Sequence, residues 1–242
     1  MIIEVLFPEV CNLYGDLANV RYLKDCIPSA TIIETSLKAK PAFVDSKVDL
    51  IYMGTTTEDG LKLAVNALSV YKDKLTSLIN AGQFILLTGN ALDVFGKYID
   101  SDEAKRLDCL GLIDTHSEYH MMKRHNSFYI GTFNNMEIVG FKSIFGHTYP
   151  SDTKGQNSNS QGWFETVKGF GQNPDIKMEG FKINNLYATY LIGPILPLNP
   201  LLTKWLLKEL GESGDIAFEE AAMNAYKQRL IEFKNEHFDA AY

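Results

Sequence analysis

The sequence predicts an α/β fold of flavodoxin-like character: a three-layer sandwich on a mostly parallel sheet with an antiparallel extension. Two observations support this class. In the first part of the chain, short apolar runs without polar alternation are separated by segments of helical periodicity, which is typical of parallel strands covered on both faces. From Gly111 onward, β-like segments follow one another with no long helix between them, which favours antiparallel pairing.

The elements of the first part follow in order along the chain. Strands are predicted at residues 2–7, 30–34, 48–53 and 84–87. Asp16 can cap a helix that continues to about Cys26, and Thr57 can cap a long helix whose apolar residues recur at helical spacing. Gly82 ends the long helix, because glycine accepts the left-handed conformation that follows a helix C-terminus.

The later part of the chain is predicted to be β-rich and then helical. Strands are predicted at residues 128–133, 136–141, 163–167 and 186–191. Asn134-Asn135 suits a hairpin turn, and the polar stretch 150–162 predicts a mobile surface loop. Helical periodicity returns at residues 199–210 and 215–234. We therefore expect one domain over residues 1–242, with residues 199–242 as a C-terminal helical tail.

Composition and charge exclude several classes of function. Hydrophobic residues make up 45% and charged residues 22%, the balance of an ordinary globular protein. The net charge of −7 argues against nucleic acid and against anionic membranes, since both require a basic face. No apolar run reaches the roughly 18 residues of a membrane span, so no membrane insertion is expected. Three widely spaced cysteines fit free thiols in the cytoplasm, and no cofactor is expected.

Two short stretches indicate the scaffold of an active site. The run Leu86-Leu87-Thr88-Gly89-Asn90 is an apolar strand that continues into a tight turn and a helix, the geometry in which α/β enzymes expose a nucleophile. The run Ala188-Thr189-Tyr190-Leu191-Ile192-Gly193-Pro194 is a strand end of the kind that carries a partner base.

These stretches belong to an ordered set that resembles a class I glutamine amidotransferase. The similar branch contains the cobyric acid synthases and the amidotransferase subunit of lipid II isoglutaminyl synthase, an enzyme of peptidoglycan and the cell wall. The matching pieces are Asn12-Leu13-Tyr14-Gly15-Asp16 with Asn19, Gly54, residues 85–96, Gly111-Leu112, Gly140-Phe141, and Thr189-Tyr190-Leu191 followed by Gly193-Pro194. They cover about the first 200 residues, and the run 190–199 points to the lipid II branch.

The resemblance implies a reaction that this chain lacks the groups to perform. In the family a cysteine at the strand–helix turn attacks the amide of glutamine, a histidine moves the proton, and backbone amides hold the oxyanion. The resemblance places Thr88 at the cysteine position and Ile192 at the histidine position. A threonine hydroxyl needs an activating base, and isoleucine cannot supply one. The family's later glutamate and histidine are also absent from residues 140–146. Glutaminase activity is therefore expected to be absent.

The residues expected around this site form a candidate pocket: Tyr14, Asp16, Gly54, Thr55, Thr88, Gly89, Asn90, His147 and Ile192. Backbone amides after Gly54 could hold an oxyanion, or could simply begin a helix. His147 could replace the lost base, or be a loop histidine with a hydrogen bond. Cys11 could reach the pocket as a displaced nucleophile, but a buried structural thiol is the favoured interpretation.

A histidine-rich segment is the one candidate for a metal site. His116, Glu118 and His120 alternate along a predicted strand, and His125 follows. A divalent metal requires three or four convergent ligands, and a solvated strand face is the favoured interpretation. We therefore expect no metal.

Three functions stay open at this stage. The first is a catalytically inactive amidotransferase-like protein that acts as a binding or regulatory subunit of a Mur-ligase-like synthetase. The second is an active amidotransferase that supplies ammonia to such a synthetase through displaced groups such as Cys11 or His147. The third is a small-molecule sensor whose former pocket has been reshaped around a ligand such as glutamine.

Overall fold

The computed structural model describes residues 1–151 and 161–235. The strands are β1 (Ile2–Leu6), β2 (Thr31–Thr35), β3 (Leu50–Met53), β4 (Phe84–Thr88), β5 (Tyr98–Ser101), β6 (Leu107–Asp108), β7 (Thr115–Tyr119), β8 (His125–Phe133), β9 (Met136–Ile144), β10 (Gly146–Pro150), β11 (Phe164–Lys168), β12 (Met178–Glu179), β13 (Phe181–Ile183) and β14 (Leu186–Thr189). The helices are α1 (Ala18–Cys26), α2 (Ala42–Asp45), α3 (Glu58–Ser69), α4 (Lys72–Asn80), α5 (Ala91–Phe95), α6 (Ile195–Leu198), α7 (Pro200–Glu209) and α8 (Glu219–Lys234).

The central sheet has six strands in the order β2-β1-β3-β4-β14-β13. The first five are parallel, and their order is that of flavodoxin-like doubly wound proteins. Strand β13 pairs antiparallel with β14 at one edge. The predicted fold class is confirmed. In such sheets ligands bind beyond the carboxyl ends of the strands, which is where the candidate site lies.

Helices cover both faces of this sheet. Successive strand residues point to opposite faces, so each face presents its own set of apolar side chains to the helices. Leu87 of β4 belongs to one buried apolar cluster, together with Leu61 of α3 and Leu75 of α4. The neighbouring Leu86 belongs to the other cluster, together with Leu23 of α1. Strands buried on both faces read as continuous apolar runs, which is why the sequence predicts them well.

The prediction that the antiparallel strands extend the central sheet is wrong for most of them. Only β13 does so, whereas β5 to β12 form two further sheets of four strands each. Hairpin β8–β9 closes through Asn134 and Asn135, whose φ angles of 48° and 61° suit the predicted two-residue turn. The hairpin pairs with β11, and the edge of the central sheet is already occupied by β13.

Several predicted boundaries are changed in detail. The long helix is divided into α3 and α4 at Val70 and Tyr71. Its start is confirmed, since the Thr57 hydroxyl accepts a hydrogen bond from the Gly60 amide at 3.1 Å. Its end is also confirmed, with Gly82 at φ 79°. Most of the predicted loop at residues 150–162 lies outside the described residues.

Three helices follow the central sheet toward the C-terminus. Tyr226 and Phe233 of α8 pack against Ile130 and Val139 of the β8–β9 hairpin. Helices α7 and α8 lie within residues 199–242, and the division of the chain into one domain with a helical tail stays a prediction. Within the described ranges, no helix combines the length and apolar character of a membrane span.

A fully buried ion pair joins the β9 strand to the end of the central sheet. The Lys142 ammonium lies 3.4 Å from a Glu179 carboxylate oxygen and donates to the Gly171 carbonyl at 2.7 Å. The same carboxylate accepts from the Thr189 hydroxyl at 2.6 Å and from the Tyr190 amide at 2.8 Å. Glu179 therefore holds the end of β14 in place.

Removing one partner of this ion pair should lower the free energy of unfolding more than removing both partners. We expect Lys142→Met to lower the free energy of unfolding by about 3–5 kcal/mol, because the Glu179 carboxylate is left buried without its counter-charge. The double variant Lys142→Met/Glu179→Gln should be more stable than the single variant. Lys62→Met is the control, since the exposed Lys62–Asp59 pair contributes less than about 1 kcal/mol. Urea denaturation measures each value. A single variant as stable as the control would contradict this account.

Candidate functional site

A buried carboxylate joins the carboxyl ends of the central strands. Asp16 lies after β1, and its side chain points inward. One oxygen accepts from the Thr55 amide at 2.8 Å and from the Thr88 hydroxyl at 2.5 Å. The other accepts from the Asn19 side-chain amide at 2.9 Å. Burial raises the pKa of Asp16, and these hydrogen bonds oppose the rise.

The inward position of Asp16 corrects its predicted role as a helix cap. The residue before α1 is Leu17, and no side chain caps that helix. The Asp16 carboxylate instead accepts hydrogen bonds from residues at the ends of β3 and β4. Sequence spacing cannot distinguish these two uses of an aspartate, because both place it just before a helix.

Thr88, the predicted nucleophile position, is the last residue of β4 and is fully buried. Its hydroxyl donates to Asp16 and lies 2.9 Å from the Tyr52 hydroxyl. The left-handed residue of the turn is the next one, Gly89, with φ at 59°. In strand–turn–helix sites the nucleophile occupies the strained position of the turn.

Gly89 is packed too closely for any side chain. A Cβ atom on Gly89 would lie 2.2 Å from Thr55 Cβ and 2.3 Å from Thr55 Oγ1, far inside van der Waals contact. The turn and the end of β3 therefore touch through a glycine Cα and a threonine side chain. Both the backbone angle and the packing require glycine here.

A cavity of about 220 Å³, the site cavity, opens above this turn. Of the predicted pocket residues, it is lined by Tyr14, Thr55, Gly89, Asn90 and Ile192. The structure thus brings together five of the nine predicted positions, at the carboxyl edge of the sheet.

The other four predicted pocket residues do not line the site cavity. Asp16, Gly54 and Thr88 lie buried beneath it. His147 lies in β10, where its ring is 4.5 Å from that of His125. Burial first, and then the nearby charges of His125 and Lys142, lower the pKa of His147 to about 4. With a pKa of about 4 the ring is a weak base, and it lies outside the cavity, so it does not fit the role of replacement base.

Two of the backbone amides predicted as an oxyanion site, those of Thr55 and Thr56, are already in use. The Thr55 amide donates to Asp16, and the Thr56 amide donates to the Asn90 side-chain oxygen at 2.9 Å. The Asn90 amide group in turn donates to the Thr56 carbonyl at 2.9 Å. The helix-cap interpretation of Thr57 is the one that the structure supports, and these two amides have no donor capacity left for a substrate.

No cysteine or histidine of the described residues lines the site cavity. Cys11 is fully buried in an apolar cluster. Burial raises the pKa of its thiol to about 12, so it stays protonated at neutral pH and is a poor nucleophile. Ile192 occupies the cavity wall with an aliphatic side chain and is 5% exposed.

Two charged residues of the site cavity are absent from the sequence-based prediction. Arg124, in the loop between β7 and β8, donates to the Tyr14 hydroxyl at 3.0 Å and lies 4.3 Å from the centre of the Phe145 ring. Glu58 begins α3 and lines the same cavity. Neither residue belongs to a motif, and long-range folding brings them together. The left-handed φ of 60° at Tyr14 is unusual for a bulky residue and places its ring at the cavity mouth.

The histidine-rich segment has structural contacts instead of metal ligands. His116 stacks between Tyr98 and Tyr149, at ring distances of 4.9 and 5.8 Å. His120 lies 3.2 Å from an Asp102 carboxylate oxygen. Across residues 1–151 and 161–235, no three His, Cys, Asp or Glu side chains converge as a metal site would require.

The fold and the position of the site define a doubly wound α/β protein with a strand–turn–helix site at the carboxyl edge of its sheet. A family model described as the CobB/CobQ-like glutamine amidotransferase domain matches residues 2–200. The chain belongs to this family.

Two curated relatives share almost the full length of the chain. One is the GatD subunit of lipid II isoglutaminyl synthase (glutamine-hydrolyzing) from Staphylococcus aureus, 29% identical over 93% of this chain and 92% of the relative. The other is the subunit of the same name from Streptococcus pneumoniae, 21% identical over 95% of this chain and 90% of the relative. The sequence-based resemblance to the lipid II branch is confirmed.

Solved structures agree on the fold. A glutamine amidotransferase structure superposes with a TM-score of 0.55 at 9% identity, covering 86% of this chain and 98% of the other. A glutamine amidotransferase from Thermotoga maritima gives a TM-score of 0.52 at 8% identity, covering 94% and 92%. At this identity the likeness shows the shared fold alone.

The packing at Gly89 gives a direct stability test. We expect Gly89→Ala to destabilise the protein by roughly 2–4 kcal/mol, because the new methyl group meets Thr55 and the left-handed angle adds strain. Gly15→Ala is the matched control, since Gly15 has a φ of 73° but open space where a Cβ atom would lie. The control should lose only about 1–2 kcal/mol. Equal losses in thermal unfolding would show that packing against Thr55 contributes nothing.

The lowered pKa of His147 makes stability depend on pH. The unfolded chain takes up a proton near pH 6.5, whereas folded His147 does so only near 4, so stability falls as the pH drops through this range. Because the ring is only half-buried, we expect a loss of about 1 kcal/mol from this residue. His147→Gln should reduce the loss of stability between pH 7 and pH 4 that urea denaturation measures. An unchanged pH dependence in His147→Gln would contradict the assignment.

Proposed function

We propose that this protein is an amidotransferase-like binding subunit that does not hydrolyse glutamine. The observation that carries the proposal is the contact between Gly89 and Thr55 at the turn. Hydrolysis of an amide by this family's chemistry requires a thiolate at the turn, and the turn has no room for a side chain. We further propose that Gly89, one residue after Thr88, occupies the nucleophile position.

The surroundings of Gly89 support the same conclusion. Ile192 faces the site cavity where a proton-transferring group is required, and an aliphatic side chain cannot accept a proton. The Thr55 and Thr56 amides donate within the protein, so they are not free to stabilise an oxyanion. Loss of a single oxyanion donor typically slows such reactions by about 10²–10³. Among the residues that the structure describes, the site therefore lacks a nucleophile and a base, and two of its candidate oxyanion donors are engaged within the protein.

The site cavity has charged side chains that can bind a ligand, although it lacks the groups needed for catalysis. Arg124 and Glu58 face the site cavity with opposite charges, which suits the carboxylate and ammonium groups of a free amino acid. A ligand such as glutamine is the expected class. The third function considered from the sequence, a small-molecule sensor, shares this feature and differs only in whether a partner protein is required.

The partner that we propose is a Mur-ligase-like synthetase in the cytoplasm. The curated relatives are named as subunits of lipid II isoglutaminyl synthase, which supports a role within an assembly. We propose that the whole chain acts as one domain in this role. Co-purification of the protein with a Mur-ligase-like synthetase from the same genome tests the pairing, and ligand binding without any association would favour the sensor.

The second candidate, an active enzyme with displaced groups, has little support. Cys11 is buried and its pKa is about 12, and His147 lies outside the site cavity with a pKa of about 4. Neither group is poised to exchange a proton with a substrate near neutral pH.

Ammonia release from glutamine distinguishes the two candidates. We expect the purified protein to release no more ammonia than a heat-denatured sample, because no thiolate reaches the cavity. The same result is expected after addition of the synthetase and its nucleotide. Glutamine-dependent release that disappears in Cys11→Ala would establish the displaced-nucleophile mechanism instead.

A further inference from the structure

A second, mostly apolar depression lies beside the site cavity. This apolar cleft has a volume of about 240 Å³. Its apolar lining consists of Leu61, Ile99, Ala104, Leu107 and Met121, and its polar lining consists of Glu58, Lys62, Ser101, Glu103, Lys105 and Tyr119. The strand–turn–helix scaffold does not require such a cleft, since its lining comes from α3, β5, β6 and the segments around them.

The apolar cleft and the site cavity share two wall residues, Glu58 and Tyr119. Tyr119 is rigidly held, because its hydroxyl donates to the buried Asp93 carboxylate at 2.5 Å. Asp93 also accepts hydrogen bonds from Ser117 and Tyr190. The wall shared by the two depressions therefore consists of the fixed Tyr119 ring and the Glu58 side chain, and the two depressions are direct neighbours on either side of it.

Glu58 at this junction and Arg124 in the site cavity each lack an oppositely charged partner among the described residues. In the part of the chain that the structure describes, the Glu58 carboxylate has no hydrogen-bond or ion-pair partner, and Arg124 has no carboxylate partner. Arg124 contacts only the site cavity, whereas Glu58 borders both depressions. A ligand ammonium bound to Glu58 would therefore lie between two surfaces. Arg124 in the site cavity could bind the ligand's carboxylate, and the apolar residues of the cleft could contact its side chain.

We propose that the site binds an α-amino acid with an aliphatic side chain, which occupies the apolar cleft. This inference rests on the proposed function, since it requires binding without hydrolysis. In this arrangement Glu58 holds the ammonium, Arg124 holds the carboxylate, and the side chain lies among Leu61, Leu107 and Met121. A side-chain amide packed against these three apolar side chains would lose hydrogen bonds to water, whereas methylene groups are favoured by burial there.

Norleucine and glutamine are the two probes that test this, because they share the amino-acid head group and a similar side-chain length. Isothermal titration of the intact protein should show norleucine binding about tenfold or more tightly than glutamine. Met121→Gln should weaken norleucine binding about fivefold or more, with glutamine little changed. The matched control is Met122→Gln, because Met122 is 85% exposed and lines neither depression. Thermal unfolding confirms that each variant is folded, and Arg124→Gln should weaken both ligands.

The outcomes separate the two proposals. Glutamine binding as tightly as norleucine, unaffected by Met121→Gln, would overturn the aliphatic assignment and leave the proposed function standing. Binding of neither probe would also overturn it. Ammonia release during titration with glutamine would refute the proposed function itself.

Discussion

The site is organised by one buried carboxylate, that of Asp16. Its oxygens hold the Thr88 hydroxyl at the end of β4 and the Thr55 amide at the end of β3, and a third bond reaches Asn19. A buried carboxylate is costly unless it is hydrogen-bonded, so these donors are fixed by necessity. They are then lost to any ligand. The same interactions draw the end of β3 against the turn, so that Thr55 packs on Gly89.

Under the proposed function, this arrangement accounts for a family scaffold that is kept without the family's chemistry. The sheet order, the turn and the cavity at the carboxyl edge depend on apolar burial and backbone hydrogen bonds, which need no catalytic group. Catalysis depends on a few side chains that project into the cavity. We propose that in this chain those positions are occupied by groups that stabilise the fold, above all by the Gly89–Thr55 packing and by Ile192. Function must be argued from such a site and not from the fold around it.

The sequence predicts well the features that depend on local patterns. Continuous apolar runs such as 84–87 indicate buried parallel strands, Thr57 marks the start of a helix, and Asn134-Asn135 marks a hairpin. Features that depend on distant partners are missed. The separate sheets formed by β5 to β12 depend on which strands pair, and the inward turn of Asp16 depends on donors from β3 and β4. Arg124 and Glu58 meet only in the folded chain, so no spacing in the sequence reveals them.

Chemical labelling measures whether any cysteine of this protein reacts as a nucleophile at the site cavity. The native protein is incubated with diazo-oxo-norleucine, a diazoketone analogue of glutamine that alkylates an activated thiolate, and its intact mass is measured. We expect an unchanged mass, because Cys11 is buried with a pKa of about 12 and no described cysteine lines the cavity. A single adduct on Cys11, prevented by excess glutamine, would contradict it.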